Sequence, residues 1–193
     1  MAHDSKTRMI RSAYQLFRER GYSGTGLREI NAHSGVARGA IYHHFPGGKA
    51  ELAQEVIRLA GTDVSDPLEE LARTADPVST LAAFVTGWEN HVREHDFSAG
   101  CAIAAVVSET QDDEPQLTQV AAEAFGRWQA IFAASLRRAG VSAARARRLA
   151  TLAVSAVEGA VTLSRAERST RPLKEVGREL RSLFEDAVVG SND

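Results

Sequence analysis

The stretch Leu27-Arg28-Glu29-Ile30-Asn31-Ala32-His33-Ser34-Gly35-Val36-Ala37-Arg38-Gly39-Ala40-Ile41-Tyr42-His43-His44 decides the fold. Leu27, Ile30 and Ala32 mark a short helix over 27–33, Ser34-Gly35-Val36 breaks it, and a second short helix is expected over 37–44. Two short helices joined by a glycine-containing turn are a helix-turn-helix, whose second helix enters the major groove of DNA. Gly39 lacks a Cβ, so the backbone can approach a ligand closely there. Arg38, near the start of the second helix, can reach a guanine edge or a phosphate. Tyr42 and His43 lie one turn further on.

Outward from this stretch the periodicity is helical nearly everywhere. Upstream, Ile10, Ala13, Tyr14 and Phe17 fall on one helix face, with Ser5 as a possible cap and Gly21 as the stop. Downstream, Pro46-Gly47-Gly48 halts the chain before a fourth helix opens near Lys49. There the ammonium and the free N–H groups of the helix start together suit a phosphate. Lys49 to about Thr74 reads as one helix, or as two divided at Asp66-Pro67. Asp76-Pro77 is a cap followed by a first-turn proline, and Leu81, Phe84, Val85, Trp88 and Val92 stripe the helix it begins. A helix of small residues follows over 100–110, then a long one over 114–139 ended by Gly140. Ser142 caps another, and a last apolar stripe runs from Leu173 to Ala187. The expectation is an all-α protein of about nine helices.

The chain has 193 residues, 44% hydrophobic and 25% charged, with a formal net charge of −2. That average conceals an asymmetry. Residues 1–50 carry eight Lys and Arg against Asp4, Glu19 and Glu29, a net charge of +5, which leaves −7 on residues 51–193. Such a split points to one end that meets a polyanion. A single cysteine, Cys101, excludes an internal disulfide framework and a Cys-rich zinc module. The polar N-terminus offers no leader, and no apolar run approaches the ~18 residues of a membrane span. A cytoplasmic protein without a membrane partner is expected.

The run from Gly21-Tyr22 through Thr25-Gly26-Leu27-Arg28-Glu29-Ile30 and Gly35-Val36-Ala37-Arg38-Gly39-Ala40-Ile41-Tyr42-His43-His44-Phe45-Pro46-Gly47-Gly48-Lys49-Ala50-Glu51-Leu52 resembles the DNA-binding segment of the TetR/AcrR transcriptional regulators. The similarity covers roughly residues 5–60. The Phe-Pro-Gly-Gly-Lys form, with Gly100-Cys101-Ala102-Ile103-Ala104 later, resembles the LmrA/YxaF branch. The resemblance implies a DNA-binding domain over 1–48 and a ligand-binding and dimerisation domain over 49–193. It implies DNA contacts from Thr25, Arg28, Arg38, Gly39, Tyr42, His43 (or His44) and Lys49, while Phe45 and Ile41 read as core. Gly26, Ala37 and Ala40 stand where the family commonly has Ser or Thr, so they lack the hydroxyl that would cap a helix or donate to a phosphate.

For the remainder, the resemblance implies a pocket and a pairing surface. Phe84, Trp88, Phe125, Trp128 and Phe132 offer an apolar lining, with Asn90, His91, Cys101 and Glu109 as polar candidates; the alternative is an ordinary aromatic core. Leu149, Ala153, Ala156 and Ala160 with Leu180 and Leu183 would supply half of an intersubunit four-helix bundle; the alternative is an intramolecular core. The function implied is a homodimeric repressor on a near-palindromic double-stranded operator, released by a small apolar or amphipathic effector, with no cofactor or metal. Alternatives are a ligand-independent regulator, or a redox-sensing one acting through Cys101. A zinc hydrolase built on His91, Glu94 and His95 is remote, because the H-x-x-E-H spacing recurs by chance and lacks a third ligand.

Overall fold

A computed structural model describes residues 2–37, 39–110 and 114–190. Among the described residues there are nine α-helices and no strand: α1 (Ala2–Arg20), α2 (Leu27–Ser34), α3 (Ala40–His44), α4 (Gly48–Ala72), α5 (Pro77–Glu94), α6 (Ala102–Thr110), α7 (Pro115–Arg138), α8 (Ala143–Glu167) and α9 (Arg171–Val189). The chain forms two compact units, one of residues 1–61 and 99–124, the other of residues 62–98 and 125–193. α4 and α7 each give their first part to the first unit and their second part to the second.

In the first unit, α1 packs against α2, α3 and α6. Met9, Ala13, Leu16 and Phe17 form its buried face. Ile10 and Tyr14 are only half-buried, so the true stripe is rotated from the one expected, and Ser12 is drawn under cover beside it. Ser5 is no cap: α1 begins at Ala2, and the Ser5 hydroxyl shares a hydrogen bond of 2.7 Å with His44 Nε2. Phe17, Ile30, Ile41, Phe45, Leu52, Val56 and Ile57 complete the core, each essentially unexposed. Burying each such side chain contributes about 1.5–3 kcal/mol.

The second unit is built on α5, α8 and α9, which pack mutually, with the later parts of α4 and α7. α4 is one helix, with Pro67 inside it. Proline removes one backbone hydrogen bond, and the helix is held beyond it by the Arg127 guanidinium, which bonds Glu69 at 2.9 and 3.0 Å and Asp66 at 3.0 Å. α8 ends on Arg168 in a left-handed conformation (φ +50°), and α5 runs into Asp96 and Phe97 with φ +48° and +59°. Non-glycine residues pay for that geometry. Here the Arg168 guanidinium donates to the Asp96 carboxylate at 2.7 Å and lies over the Phe97 ring.

α5 begins as its sequence dictates. Asp76 accepts hydrogen bonds at 2.9 Å from the Val78 and Ser79 N–H groups, with Pro77 in the first turn. The Ser79 hydroxyl and these N–H groups hold the Asp76 carboxyl below the usual carboxylate range. Asp76→Ala is expected to lower stability by about 1 kcal/mol, measured as a lower thermal midpoint at pH 7. Because the carboxyl pKa is depressed on folding, the cap contributes above the ordinary Asp pKa and is lost as pH falls through the depressed one. The wild-type and variant midpoints should therefore converge on acidification.

Candidate DNA-contacting surface

α2 and α3 form the helix-turn-helix. Gly35 closes α2 with φ +64°, a conformation that glycine adopts without the strain a side chain would bring. The regular second helix covers Ala40–His44, three residues later than expected, because the chain first makes a turn in which the Ala40 N–H bonds the Ala37 carbonyl. Neither helix has a side-chain cap: Gly26 and Gly39 stand at the capping positions and have nothing with which to accept a bond.

The side chains of α3 divide sharply. Ile41 is 1% exposed, and Phe45, just beyond the helix, is fully buried, so both are core as expected. Tyr42 is 64% exposed, the largest outward aromatic of the unit. His43 also faces solvent, and its ring meets that of His44 edge-on at 5.2 Å. Of the two adjacent histidines, His43 is the one expected to make the contact. His44 is half-buried and bonded to Ser5, leaving His43 as the outward one. Arg28 on α2 is exposed and makes no ion pair among the described residues, whereas Arg20 and Glu29 join the end of α1 to α2 through an ion pair. Arg38 lies outside the described residues.

Two expected contacts sit differently. Thr25 is fully buried, and its hydroxyl donates to the Gly21 carbonyl at 2.9 Å. It closes the corner between α1 and α2 and presents nothing to solvent, which corrects the contact expected of it. Lys49 opens α4, but its ammonium lies 4.0 Å from the centroid of the Tyr22 ring. Partial burial lowers the Lys49 pKa, opposed by the nearby Glu114 and Glu109 carboxylates. No signal in the sequence pairs residues 60 positions apart in this way.

The aromatic candidates belong to the second unit. Phe84, Trp88, Phe125, Trp128 and Phe132 pack edge-to-face with ring centroids 5.3–6.4 Å apart, and His91 meets Trp88 at 5.3 Å. Trp88 is 7% exposed, and its indole N–H has no hydrogen-bond partner among the described residues. Asn90 points outward to Arg93. Glu109 lies at the α1–α2 corner of the first unit, accepting from the Ser23 N–H at 2.6 Å, which corrects its assignment to a pocket. Cys101 is also in the first unit, buried, with its sulfur accepting from the Ala104 N–H at 3.5 Å. Such burial keeps the sulfur from the solvent-borne oxidant that redox sensing needs. His91 and His95 pack edge-on at 4.8 Å, and among the described residues no group of three or more His, Cys, Asp or Glu could hold a metal ion.

Of the pairing residues, Leu149, Ala153, Ala160 and Leu180 are at most 2% exposed within the protomer, which corrects their assignment to a subunit interface. α8 carries a second apolar stripe that sequence periodicity merged with the first. Leu152 (44% exposed) and Leu163 (54%) stand on it with half-buried Ala156. Leu152 and Ala156 line a cleft of about 590 Å³ with Val176, Leu180 and Leu183 of α9. α8, alone among the described helices, is long and apolar enough by length and composition to cross a membrane, a test that the core helix of a globular unit also passes.

Comparison with known proteins follows the same division. Residues 9–56 match the family described as bacterial regulatory proteins, tetR family, and residues 77–179 match the C-terminal domain described as transcriptional regulator LmrA/YxaF-like. The chain belongs to the TetR family, in its LmrA/YxaF-like branch. An HTH-type transcriptional regulator of Mycobacterium tuberculosis is 38% identical over 184 residues, covering 93% of each chain. The regulator YxaF of Bacillus subtilis is 30% identical over 178 residues, covering 92% of this chain and 93% of its own. In fold, the regulatory protein TetR from Rhodobacter sphaeroides superimposes with a TM-score of 0.82 at 24% identity, covering 92% of this chain and 97% of that one. This TetR-family protein is thus a DNA-binding transcriptional regulator and not an enzyme.

Gly39 offers a test of its surface. Its φ is −75°, and a Cβ added there would meet nothing of the chain within 4 Å. The fold itself does not require glycine at this position. Gly39→Ala should leave the thermal midpoint unchanged or slightly raised, yet weaken DNA binding by about tenfold in a gel-shift titration. Unchanged affinity would mean that the backbone here does not approach DNA.

Proposed function

We propose that the protein is a homodimeric cytoplasmic repressor that binds a near-palindromic double-stranded operator and leaves it when a small apolar or amphipathic effector binds. DNA contacts come from Arg28, Arg38, Gly39, Tyr42, His43 and Lys49 within residues 1–48 and the start of α4, while residues 49–193 sense and pair. One helix-turn-helix covers too few base pairs for tight specific recognition, and a two-fold pair doubles the contact.

The observation that carries this reading is the uncovered apolar stripe Leu152–Ala156–Leu163 beside Val176 and Leu183. Monomeric proteins rarely leave such a patch open, and a second copy would cover it with the same stripe. The effector site is placed at the aromatic cluster of α5 and α7, beside Phe84, Trp88, His91, Phe125 and Trp128. A buried donor left without an acceptor costs about 1–3 kcal/mol, and the Trp88 N–H would recover it by bonding an effector oxygen. An effector that prefers a different separation of the two reading heads shifts the population away from the DNA-bound form.

Leu163→Glu tests the pairing face without touching the protomer core. Sedimentation is expected to show a dimer for the wild type and a folded monomer for the variant, with specific DNA binding falling together with it. A variant that remains dimeric would place the interface elsewhere. For the function as a whole, DNA selected from a random pool gives the operator, and a compound screen on that complex finds the effector. Release of the operator by an apolar or amphipathic compound, lost in Trp88→Phe, supports the full reading. Failure of every such compound would favour a ligand-independent regulator.

A further inference from the structure

Tyr22, Lys49, Glu109 and Glu114 of the first unit meet where α1 ends. Tyr22 is 6% exposed and stacks edge-on against Phe17 at 5.4 Å. Its hydroxyl donates to the Glu114 carboxylate, 2.9 Å from each oxygen, and the Lys49 ammonium lies on its ring face at 4.0 Å. Glu109, on the last turn of α6, accepts from the Ser23 N–H at 2.6 Å and presses against Gly21, where any Cβ would overlap its carboxylate. Burial pushes the Tyr22 phenol far above its ordinary pKa, with the Glu114 bond and charge adding to the shift. The phenol therefore stays protonated and remains a donor throughout the physiological range.

The arrangement gives Lys49 partners of its own in the absence of DNA. Burial disfavours its charge, Glu114 and Glu109 offset that in part by attraction, and the ammonium rests on the Tyr22 ring face, a contact worth about 0.5–2 kcal/mol. An ammonium so engaged must give up the ring contact to meet a phosphate, and the carboxylates nearby repel one. The Tyr22 hydroxyl fixes the Glu114 carboxylate in place, so the carboxylate cannot swing away when DNA arrives.

We infer that Tyr22, Glu109 and Glu114 are positioning residues that hold Lys49 at the α1–α2 corner in competition with the DNA backbone, and so set the affinity of the reading head. The inference rests on the proposed phosphate contact of Lys49. It ties DNA affinity to the ends of α6 and α7, elements that touch no DNA in the proposed function. Releasing the clamp frees one cation for one phosphate.

A double-mutant cycle on the full-length protein, binding its selected operator across a salt series, separates the two claims. Lys49→Ala alone tests the phosphate contact and should lower affinity and flatten the salt slope by about 1. Glu114→Gln should raise affinity about fivefold, the size of one weak ion pair, and leave the slope near that of the wild type, since the same single cation meets the same phosphate. In the Lys49→Ala background the same change should have no effect. Tyr22→Phe, which keeps the ring under the ammonium and removes only the hydroxyl, should move affinity in the same direction as Glu114→Gln. A Glu114→Gln gain that persists without Lys49 would reduce the carboxylate to general repulsion and overturn the inference. So would unchanged or weakened binding in Glu114→Gln and Tyr22→Phe with their thermal midpoints preserved. An unaltered slope in Lys49→Ala would instead remove the phosphate contact, and the clamp would fall with it.

Discussion

A helix of five residues closes too few internal hydrogen bonds to persist alone, because nucleation costs more than one turn returns. α3 exists only because its surroundings impose it. Ile41 and Phe45 are driven into the core, His44 is pinned to Ser5 of α1, and Gly35 supplies the left-handed turn that brings the chain around. The same constraint exposes Tyr42 and His43. With the buried side fixed at two points, the helix has no freedom to rotate, and its polar side is presented as a rigid surface. Precision of that kind is what direct recognition of bases and phosphates requires.

The acidic residues near this head qualify the simple picture of a basic domain. Residues 1–50 carry the excess positive charge, but their compact unit also takes in 99–124, with Glu109 and Glu114 at the α1–α2 corner. Charge along the sequence and charge in space therefore differ. A cation counted toward DNA from composition alone, Lys49, turns out to rest on an aromatic ring within the field of two carboxylates. Local electrostatic competition, more than net charge, governs what such a residue offers to a polyanion.

Much of this was legible in the sequence, for physical reasons that differ by element. The helix-turn-helix could be read because glycine and short apolar spacing leave few alternatives, and α5 because Asp76-Pro77 is a strong start signal. Buried against exposed faces were harder. Helix periodicity located the stripe on α1 only to within a residue, and on α8 it merged two stripes a third of a turn or so apart, one turned inward and one outward. Both satisfy the same 3–4 spacing. Arg168 gave no warning of its left-handed cap, since the Asp96 carboxylate that accompanies it comes from a distant segment. Thr25 and Lys49 likewise have residue types suited to phosphate. What redirects them are the Gly21 carbonyl and the Tyr22 ring, which only the folded corner brings within reach.

The proposed function requires two rigid reading heads held at a fixed separation by one pairing surface. Methylation-interference footprinting of guanine N7 on the selected operator measures this directly. It should reveal two symmetric major-groove patches, their centres about 34–36 Å or a whole multiple of one helical turn apart. A single unpaired patch, or interference confined to the minor groove, would contradict it.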